Sequence, residues 1–427
     1  MSNIQETKIN PNFTVVTEYV PHFASAALGL FFAHGSRYET SKNNGITHLI
    51  QRTLFKGTAK KSTNEIAFQI EGAGAIVDGF SGKETSGIYC RSLINNLDEM
   101  IDLISEITFS PLFDEKSLEK EKSLIIQEID ESQDDPQEYV FSLLFQAVFP
   151  NHPLSYLETG TPASIKSISR EQLNNYYHKK LLPSKVCLSV AGNINHDRII
   201  DKIKNKGFQA LAANPTVPES PVPNTERISI YKARKDLTQI HAAAATPTIS
   251  YQDEQRYGLV ILNTIWGGTM NSRLFHRIRE QEALVYSIFL FIEFFSDTGL
   301  FGAYFVSDTT NNEKIFQCGY DETMKLKNNG VTKEEFEDAL NYCKNQLVLG
   351  SENLPSRMIR NAKNNLLLDK VIPIEESIAH YDQLTLASVN GLTENLPLEY
   401  SGATIGPTDQ SDFLKHSSGP QKIIIKD

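Results

Sequence analysis

His48, Gln51 and Arg52 stand at i, i+3 and i+4 in the run Asn44-Gly45-Ile46-Thr47-His48-Leu49-Ile50-Gln51-Arg52-Thr53-Leu54-Phe55-Lys56-Gly57-Thr58. On a helix they share one face. A His-x-x-Glu-His pattern at those places would put two imidazoles on a zinc ion and hold a carboxylate ready as general base. Here the first His is present, Gln takes the base position and Arg takes the second ligand position. A catalytic zinc requires three protein ligands and a water. Arg52 stays charged at any useful pH. At about 4 Å and an effective dielectric near 20, unit charges interact by about 4 kcal/mol, and a dication would be repelled by roughly twice that. Gln51 cannot take a proton from water, because a neutral amide is not a base in this range. These residues predict neither metal nor hydrolysis at this place.

The elements around the triple form a repeat. The Pro-rich stretch 214–224 reads as an extended linker between two halves, 1–213 and 225–427. Each half opens with two apolar strands, 13–20 and 24–33 in the first, 227–233 and 239–245 in the second. An apolar helix follows, carrying His48 in the first half and spanning 257–265 in the second. Next come a strand (85–92; 300–307), an amphipathic helix (93–108; 312–327) and a second helix (114–133; 332–350). Leu97, Met100, Ile101, Ile104 and Ile107 recur at helical spacing. Thr332 and Glu335 form a capping-box pattern. The expected fold is α+β: two homologous halves, each a mostly antiparallel sheet with helices packed on one face.

Composition narrows the function classes. At 427 residues, with 40% hydrophobic and 22% charged residues, the chain is an ordinary globular protein with length for more than one core. The formal charge of -11 disfavours nucleic acid as a partner. No apolar run is long enough for a membrane span, and the polar start has neither the apolar core of a signal peptide nor the Arg-rich pattern of a transit peptide. Cys90, Cys187, Cys318 and Cys343 are isolated in the sequence. Scattered thiols of this kind suit a reducing compartment, and the expected localisation is cytoplasmic.

The motif run resembles the pitrilysin, insulinase and mitochondrial processing peptidase family of inverzincin zinc peptidases. That family's motif helix opens with Gly-x-x-His and ends in Leu-Phe-Lys-Gly-Thr, as Gly45 to His48 and Leu54 to Thr58 do here. The resemblance implies that Glu128, on a helix downstream, corresponds to the third zinc ligand and Glu121 to its supporting carboxylate. Arg52 is expected to pair with Glu128 in place of the cation, with Glu121 as the alternative partner. The second half carries the family's other recognisable segment, Gly267-Gly268 followed by Ser272-Arg273-Leu274-Phe275, then Arg279 and Tyr286 seven apart. The resemblance implies that this pair binds substrate and stabilises charge on a scissile carbonyl oxygen. It further implies peptide contacts at Gly267, Gly268 and Glu84, and an edge strand within 74–89 for strand addition. Asp78-Gly79 stand where the family usually has Asn-Ala, and Gly82 and Gly87 loosen that strand.

A chain with the Arg/Tyr pair and without the zinc motif resembles the non-catalytic subunit of a heterodimeric member. The expected function is to supply Arg279 and Tyr286 in trans to a zinc site on a homologous partner with an intact His-x-x-Glu-His motif, which cleaves peptides. The chain itself would hold no cofactor. Two alternatives stay open: a structural or interaction protein derived from the peptidase fold, and a processing-peptidase alpha-like subunit that binds presequences. The first would need neither Arg279 nor Tyr286. The second would carry a longer glycine-rich loop near Gly267.

Overall fold

The computed structural model describes residues 3–204, 206–208, 211 and 227–407, together with the backbone of 421–425. The expected linker, 214–224, lies outside the described residues. Among the described residues there are twelve strands: β1 (Ile4–Asn10), β2 (Phe13–Tyr19), β3 (Ser25–Phe32), β4 (Ile76–Ser81), β5 (Ser86–Leu93), β6 (Val186–Gly192), β7 (Ile228–Ala233), β8 (Ile240–Thr248), β9 (Val285–Phe294), β10 (Gly299–Ser307), β11 (Ser401–Gly406) and β12 (Gln421–Ile425). They form two six-stranded sheets, in the orders β1-β2-β6-β3-β5-β4 and β12-β7-β11-β8-β10-β9. The order repeats: β2, β6, β3, β5 and β4 correspond to β7, β11, β8, β10 and β9. Most pairs are antiparallel, while β2–β6, β7–β11 and β7–β12 are parallel. The architecture is α+β with mixed sheets.

Several strands are buried along their whole length. Every residue of β6 and of β11 is buried, and so is all of β2 but its last. Such strands need apolar cover on both faces. One face of the first sheet packs on the motif helix Ile46–Thr53, the helix Leu97–Phe109 and the helix Glu115–Asp134, through residues such as Leu49, Ile104 and Ile125. Its other face receives a helix from the second half of the sequence, Leu354–Leu368. Leu354, Met358, Ala362 and Leu366, four residues apart, lie on Val16, Ala27, Phe31 and Ala191. The second sheet does the reverse. Its second face takes Pro136–Val148 from the first half, with Val140, Leu143, Leu144 and Ala147 on Ile230, Ala243, Leu300 and Ile405.

The two compact units are therefore not contiguous. One comprises Met1–Glu131, Tyr156–Glu219 and Leu349–Ile374, and the other Ser132–Ser155, Ser220–Val348 and Glu375–Asp427. Each sheet thus carries, besides the helices of its own half, one helix exchanged from the other.

Polar contacts lock the exchanged helix onto the first sheet. Arg357 pairs with the buried Glu18 of β2, and Asn361 donates to the other Glu18 oxygen at 2.7 Å. Ser189 donates to the Met358 carbonyl at 2.8 Å. Lys185 donates to the carbonyls of Asn365 and Leu366 at 2.9 Å each, at the negative end of the helix dipole.

The motif helix is held at its start by Glu39. This buried carboxylate accepts from the Gly45 and Thr47 backbone N–H groups at 2.7 and 2.8 Å and from the Asn44 amide at 2.9 Å. It satisfies donors that the first helical turn leaves open. Gly45 is required there: its φ is +88°, and a Cβ would come within 2.6 Å of the Thr159 carbonyl.

Two predictions follow from these anchors. Glu18→Ala strands the Arg357 cation against an apolar interface and should lower the free energy of urea unfolding by about 3 kcal/mol. Glu39→Gln should cost about 1–3 kcal/mol, because the amide nitrogen cannot accept in place of one of the two carboxyl oxygens that hold the Gly45, Asn44 and Thr47 donors. Burial raises the Glu39 pKa, against the lowering effect of its Asn44, Thr47 and Gly45 bonds. The folded state therefore holds that proton more tightly than the unfolded chain does. The associated stability is full below the ordinary carboxyl range and is lost as pH rises through the raised value. Unfolding curves taken from about pH 4 upward should show the difference between wild type and Glu39→Gln shrinking with pH.

Candidate functional site

The motif helix and the helix Glu115–Asp134 bring together four charges and one imidazole. The Arg52 guanidinium bridges two carboxylates, with Nε 2.9 Å from Glu121 Oε2 and Nη1 2.5 Å from Glu128 Oε1. Lys56 Nζ takes the other Glu121 oxygen at 2.8 Å. The expected Arg52–Glu128 pair is present, and Glu121 joins it. Two cations then balance two anions. Glu121 is buried, while Arg52 and Glu128 are each about one third exposed.

His48 completes the cluster. Its Nε2 lies 3.1 Å from Glu128 Oε2 and its Nδ1 2.9 Å from Ser81 Oγ on β4. A carboxylate can only accept, so Nε2 donates to Glu128, and Nδ1 shares a hydrogen bond with the serine hydroxyl.

Gln51 occupies the base position and is buried, with neither amide atom bonded to a protein group. Gly79 of β4 passes directly over it: a Cβ there would lie 3.2 Å from Gln51 Oε1 and 3.1 Å from the Phe55 ring. The glycine lets β4, the edge strand of the first sheet, close down on the motif helix.

This donor set does not fit zinc. One imidazole remains, both of its nitrogens are engaged, and a guanidinium lies on the carboxylate that would be the third ligand. No group of three or more His, Cys, Asp or Glu residues suited to a metal occurs among the described residues.

Glu84 lies inside the first unit, 8% exposed, with an oxygen on the buried Arg37 guanidinium. Its carboxylate is committed to that ion pair and is not presented to a ligand.

The second unit carries the other candidate residues. Gly267 and Gly268 end a wide helical turn, Thr264–Gly268, and line a cleft of about 1060 Å³ with Phe275, Ser287, Glu334, Asp338 and Tyr342. Both glycines are sterically demanded: a Cβ on Gly267 would meet Leu290 at 2.5 Å, and one on Gly268 the Asn263 amide at 2.7 Å.

A second wide turn, Phe275–Gln281, carries Arg279. Its guanidinium carbon sits 4.8 Å from the centre of the Phe275 ring, which is itself part of the cleft. Ala283, at φ +50°, turns the chain from there into β9. Such a backbone costs of order 1–3 kcal/mol in a non-glycine residue. Tyr286 stands on β9, the edge strand of the second sheet, and is 63% exposed. Among the described residues Arg279 has no carboxylate partner and the Tyr286 hydroxyl has no hydrogen-bond partner. The two units thus treat their motif cations oppositely: Arg52 is neutralised by two carboxylates and Arg279 is left available.

Sequence reasoning did not identify Ser81 and Lys56 as partners of the cluster, nor Phe275 as the support of Arg279. Lys56 lay within the quoted Leu-Phe-Lys-Gly-Thr run, and Phe275 stands at i−4 from Arg279, a spacing that a helical reading exposes.

Known proteins place this geometry. Residues 14–161 match the family model described as insulinase, peptidase family M16, and residues 167–343 match that of the peptidase M16 inactive domain. An uncharacterized zinc protease of Bacillus subtilis, YmxG, is 33% identical over 92% of this chain and 96% of its own length. An uncharacterized zinc protease of Streptomyces coelicolor is 28% identical over 95% of this chain and 90% of its own length. The fold matches a crystal structure titled as a peptidase M16 inactive domain from Pseudomonas fluorescens, with a TM-score of 0.87, 21% identity and coverage of 95% of this chain and 98% of that one. A protease from Helicobacter pylori shares the fold at a TM-score of 0.83 and 15% identity, over 95% and 99% of the two chains. The chain belongs to the M16 family of peptidases.

Proposed function

We propose that this chain is the non-catalytic subunit of a two-chain M16 peptidase, and that it supplies Arg279 and Tyr286 to a zinc site on a homologous partner. The observation that carries this reading is the contrast between the two motif cations. Arg52 is consumed in an ion cluster that takes the place of a metal. Arg279 and Tyr286 keep their donors open beside a cleft suited to a peptide.

Peptide hydrolysis builds negative charge on the scissile carbonyl oxygen, and a guanidinium with a phenol hydroxyl would stabilise it. Glu334, Asp338 and the amides of Asn271, Asn341 and Asn345 line the cleft and offer partners to a peptide backbone or to basic side chains. Metal and general base would come from the partner, whose intact His-x-x-Glu-His motif provides the activated water. A scaffold derived from the same fold would have no use for exposed donors at 279 and 286.

The assay mixes this chain with a zinc-bearing homologue and follows cleavage of an unstructured peptide. Arg279→Ala should leave folding and assembly intact and lower kcat by about 100-fold, the usual effect of losing one oxyanion donor. Tyr286→Phe should act in the same direction. Full activity with both substitutions present would overturn the proposal in favour of a scaffold.

The first unit has its own test. The double substitution Gln51→Glu, Arg52→His restores base and ligand and removes the guanidinium from Glu128. It should bind about one zinc per chain by elemental analysis, where the wild type binds none after mild dialysis. A folded double variant that takes up no zinc would show that the first half is not a converted metal site.

A further inference from the structure

Arg273, Arg277 and Arg279 stand close together on the segment leading into β9, and the first two are spent on carboxylates. Arg273 grips Glu335, with Nε 2.6 Å from Oε1 and Nη2 2.7 Å from Oε2. Arg277 Nη1 lies 2.9 Å from Glu282 Oε1. Lys314 Nζ, from the helix Asn312–Asn329, lies 2.5 Å from Glu282 Oε2. Both oxygens of Glu282 are therefore taken. Lys314, with Arg277, holds the Glu282 carboxyl below the ordinary carboxylate range, so it is ionised at neutral pH.

Spacing alone predicts a different pairing. Glu282 follows Arg279 by three residues, a separation at which opposite charges meet on an α-helix. Arg277 precedes Glu282 by five, and an α-helix turns such residues to different sides. The chain here winds more widely. The turn Phe275–Gln281 has hydrogen bonds that reach five residues rather than four, and the Leu284 N–H closes it by donating to the Ile278 carbonyl at 3.0 Å. That winding brings Arg277 round to Glu282 and leaves Arg279 on the Phe275 ring, 4.8 Å from its centre. Glu280 is adjacent to Arg279 and does not face it on a helical turn.

The placement of Lys314 points the same way. It sits in the first turn of its helix, where the positive end of the helix dipole disfavours a cation. Its side chain is 58% exposed, and its carboxylate partner lies on another element. Helix preference does not account for a lysine there.

We infer that Lys314 and Arg277 are positioning residues for Arg279: by saturating Glu282 they keep that carboxylate from capturing the Arg279 guanidinium, which stays on the Phe275 ring and open to a substrate oxygen. Neither residue needs to touch substrate. An exposed ion pair and an exposed cation–ring contact are of similar strength, so a freed Glu282 oxygen would draw Arg279 off the ring for a substantial part of the time. The effect on catalysis rests on the paired-subunit reading, while the effect on Arg279 itself does not.

Two measurements separate these effects. On the chain alone, modification of Arg279 by phenylglyoxal is followed by fragment mass spectrometry. The reagent attacks the deprotonated guanidine, so an arginine held by a carboxylate reacts more slowly than an open one. Lys314→Ala should slow modification of Arg279 about 2- to 5-fold, the range set by one exposed ion pair. Lys314→Arg should leave the rate unchanged. Lys314→Ala combined with Glu282→Gln should return it to the wild-type rate. In the mixed assay with a zinc-bearing homologue, kcat should follow the same order. The Tm of Lys314→Ala should be unchanged, since the side chain is exposed and alanine suits a helix start better than lysine.

An unchanged modification rate in folded Lys314→Ala would overturn the inference, because a freed Glu282 would then have no hold on Arg279. A loss that Glu282→Gln fails to restore would overturn it as well, since Lys314 would be acting through something other than that carboxylate. Full kcat in Lys314→Ala beside a slow Arg279→Ala would have the same consequence. Modification rates that move as expected beside full activity in Arg279→Ala would leave the hold of Lys314 on Glu282 standing and overturn the paired-subunit reading instead.

Discussion

Strands buried on both faces constrain this structure more than any other feature. β2 and β6 present apolar side chains to two sides, and neither side can face water without losing roughly 25 cal/mol for each Å² of apolar surface left exposed. Each half of the chain builds helices over one side only. The other side is covered by a helix lent from the opposite half, Leu354–Leu368 on the first sheet and Pro136–Val148 on the second. The exchange is symmetric. In each half the helix that crosses is the one following the second long helix, Glu115–Asp134 or Lys333–Gly350. Neither unit can then complete its core without chain from the other half, and folding of the two is linked through the connections.

That scaffold keeps the motif helix in place whether or not chemistry happens on it. Once the second ligand and the base are gone, Glu121 and Glu128 would leave two carboxylates facing one another across a helix pair. Arg52 and Lys56 solve this electrostatically, with charge-assisted bonds of 2.5 to 2.9 Å. Arginine suits the place because its planar fork reaches both carboxylates at once, which a lysine ammonium does less well. His48 is held differently: its Nε2 donates to the Glu128 carboxylate and its Nδ1 shares a hydrogen bond with the Ser81 hydroxyl. Gln51 alone is left without protein partners, at the point where Gly79 allows the edge strand to press closest.

Much of this was legible in the sequence, for identifiable reasons. The motif helix, its Glu128 counterpart and the strand-helix order of the two halves follow from long motifs and strong periodicity, which survive local irregularity. The helix exchange was not legible. Leu354, Met358, Ala362 and Leu366 announce a narrow apolar stripe, but a stripe does not say which sheet it covers. The wide turns at Thr264–Gly268 and Phe275–Gln281 were not legible either: an apolar helix was expected over 257–265, and no element was assigned to 275–281. Glu84 was expected at a ligand from the resemblance alone, and nothing in its own stretch points to Arg37, which lies far back in the chain.

The two sheets meet the same edge problem in different ways. β4 and β9 occupy corresponding edges, and each carries residues of a family motif. β4 is short, bears Gly79 and Asp78, and is drawn down onto the motif helix through Ser81, His48 and the space over Gln51. A strand pinned in this way is poorly disposed to pair with an incoming peptide. β9 is ten residues long, shows Tyr286 at its start, and is entered through a left-handed Ala283 that costs energy to maintain. The Arg279 guanidinium, on the turn before β9, and the Tyr286 hydroxyl, on β9 itself, are exposed and have no hydrogen-bond or carboxylate partner among the described residues.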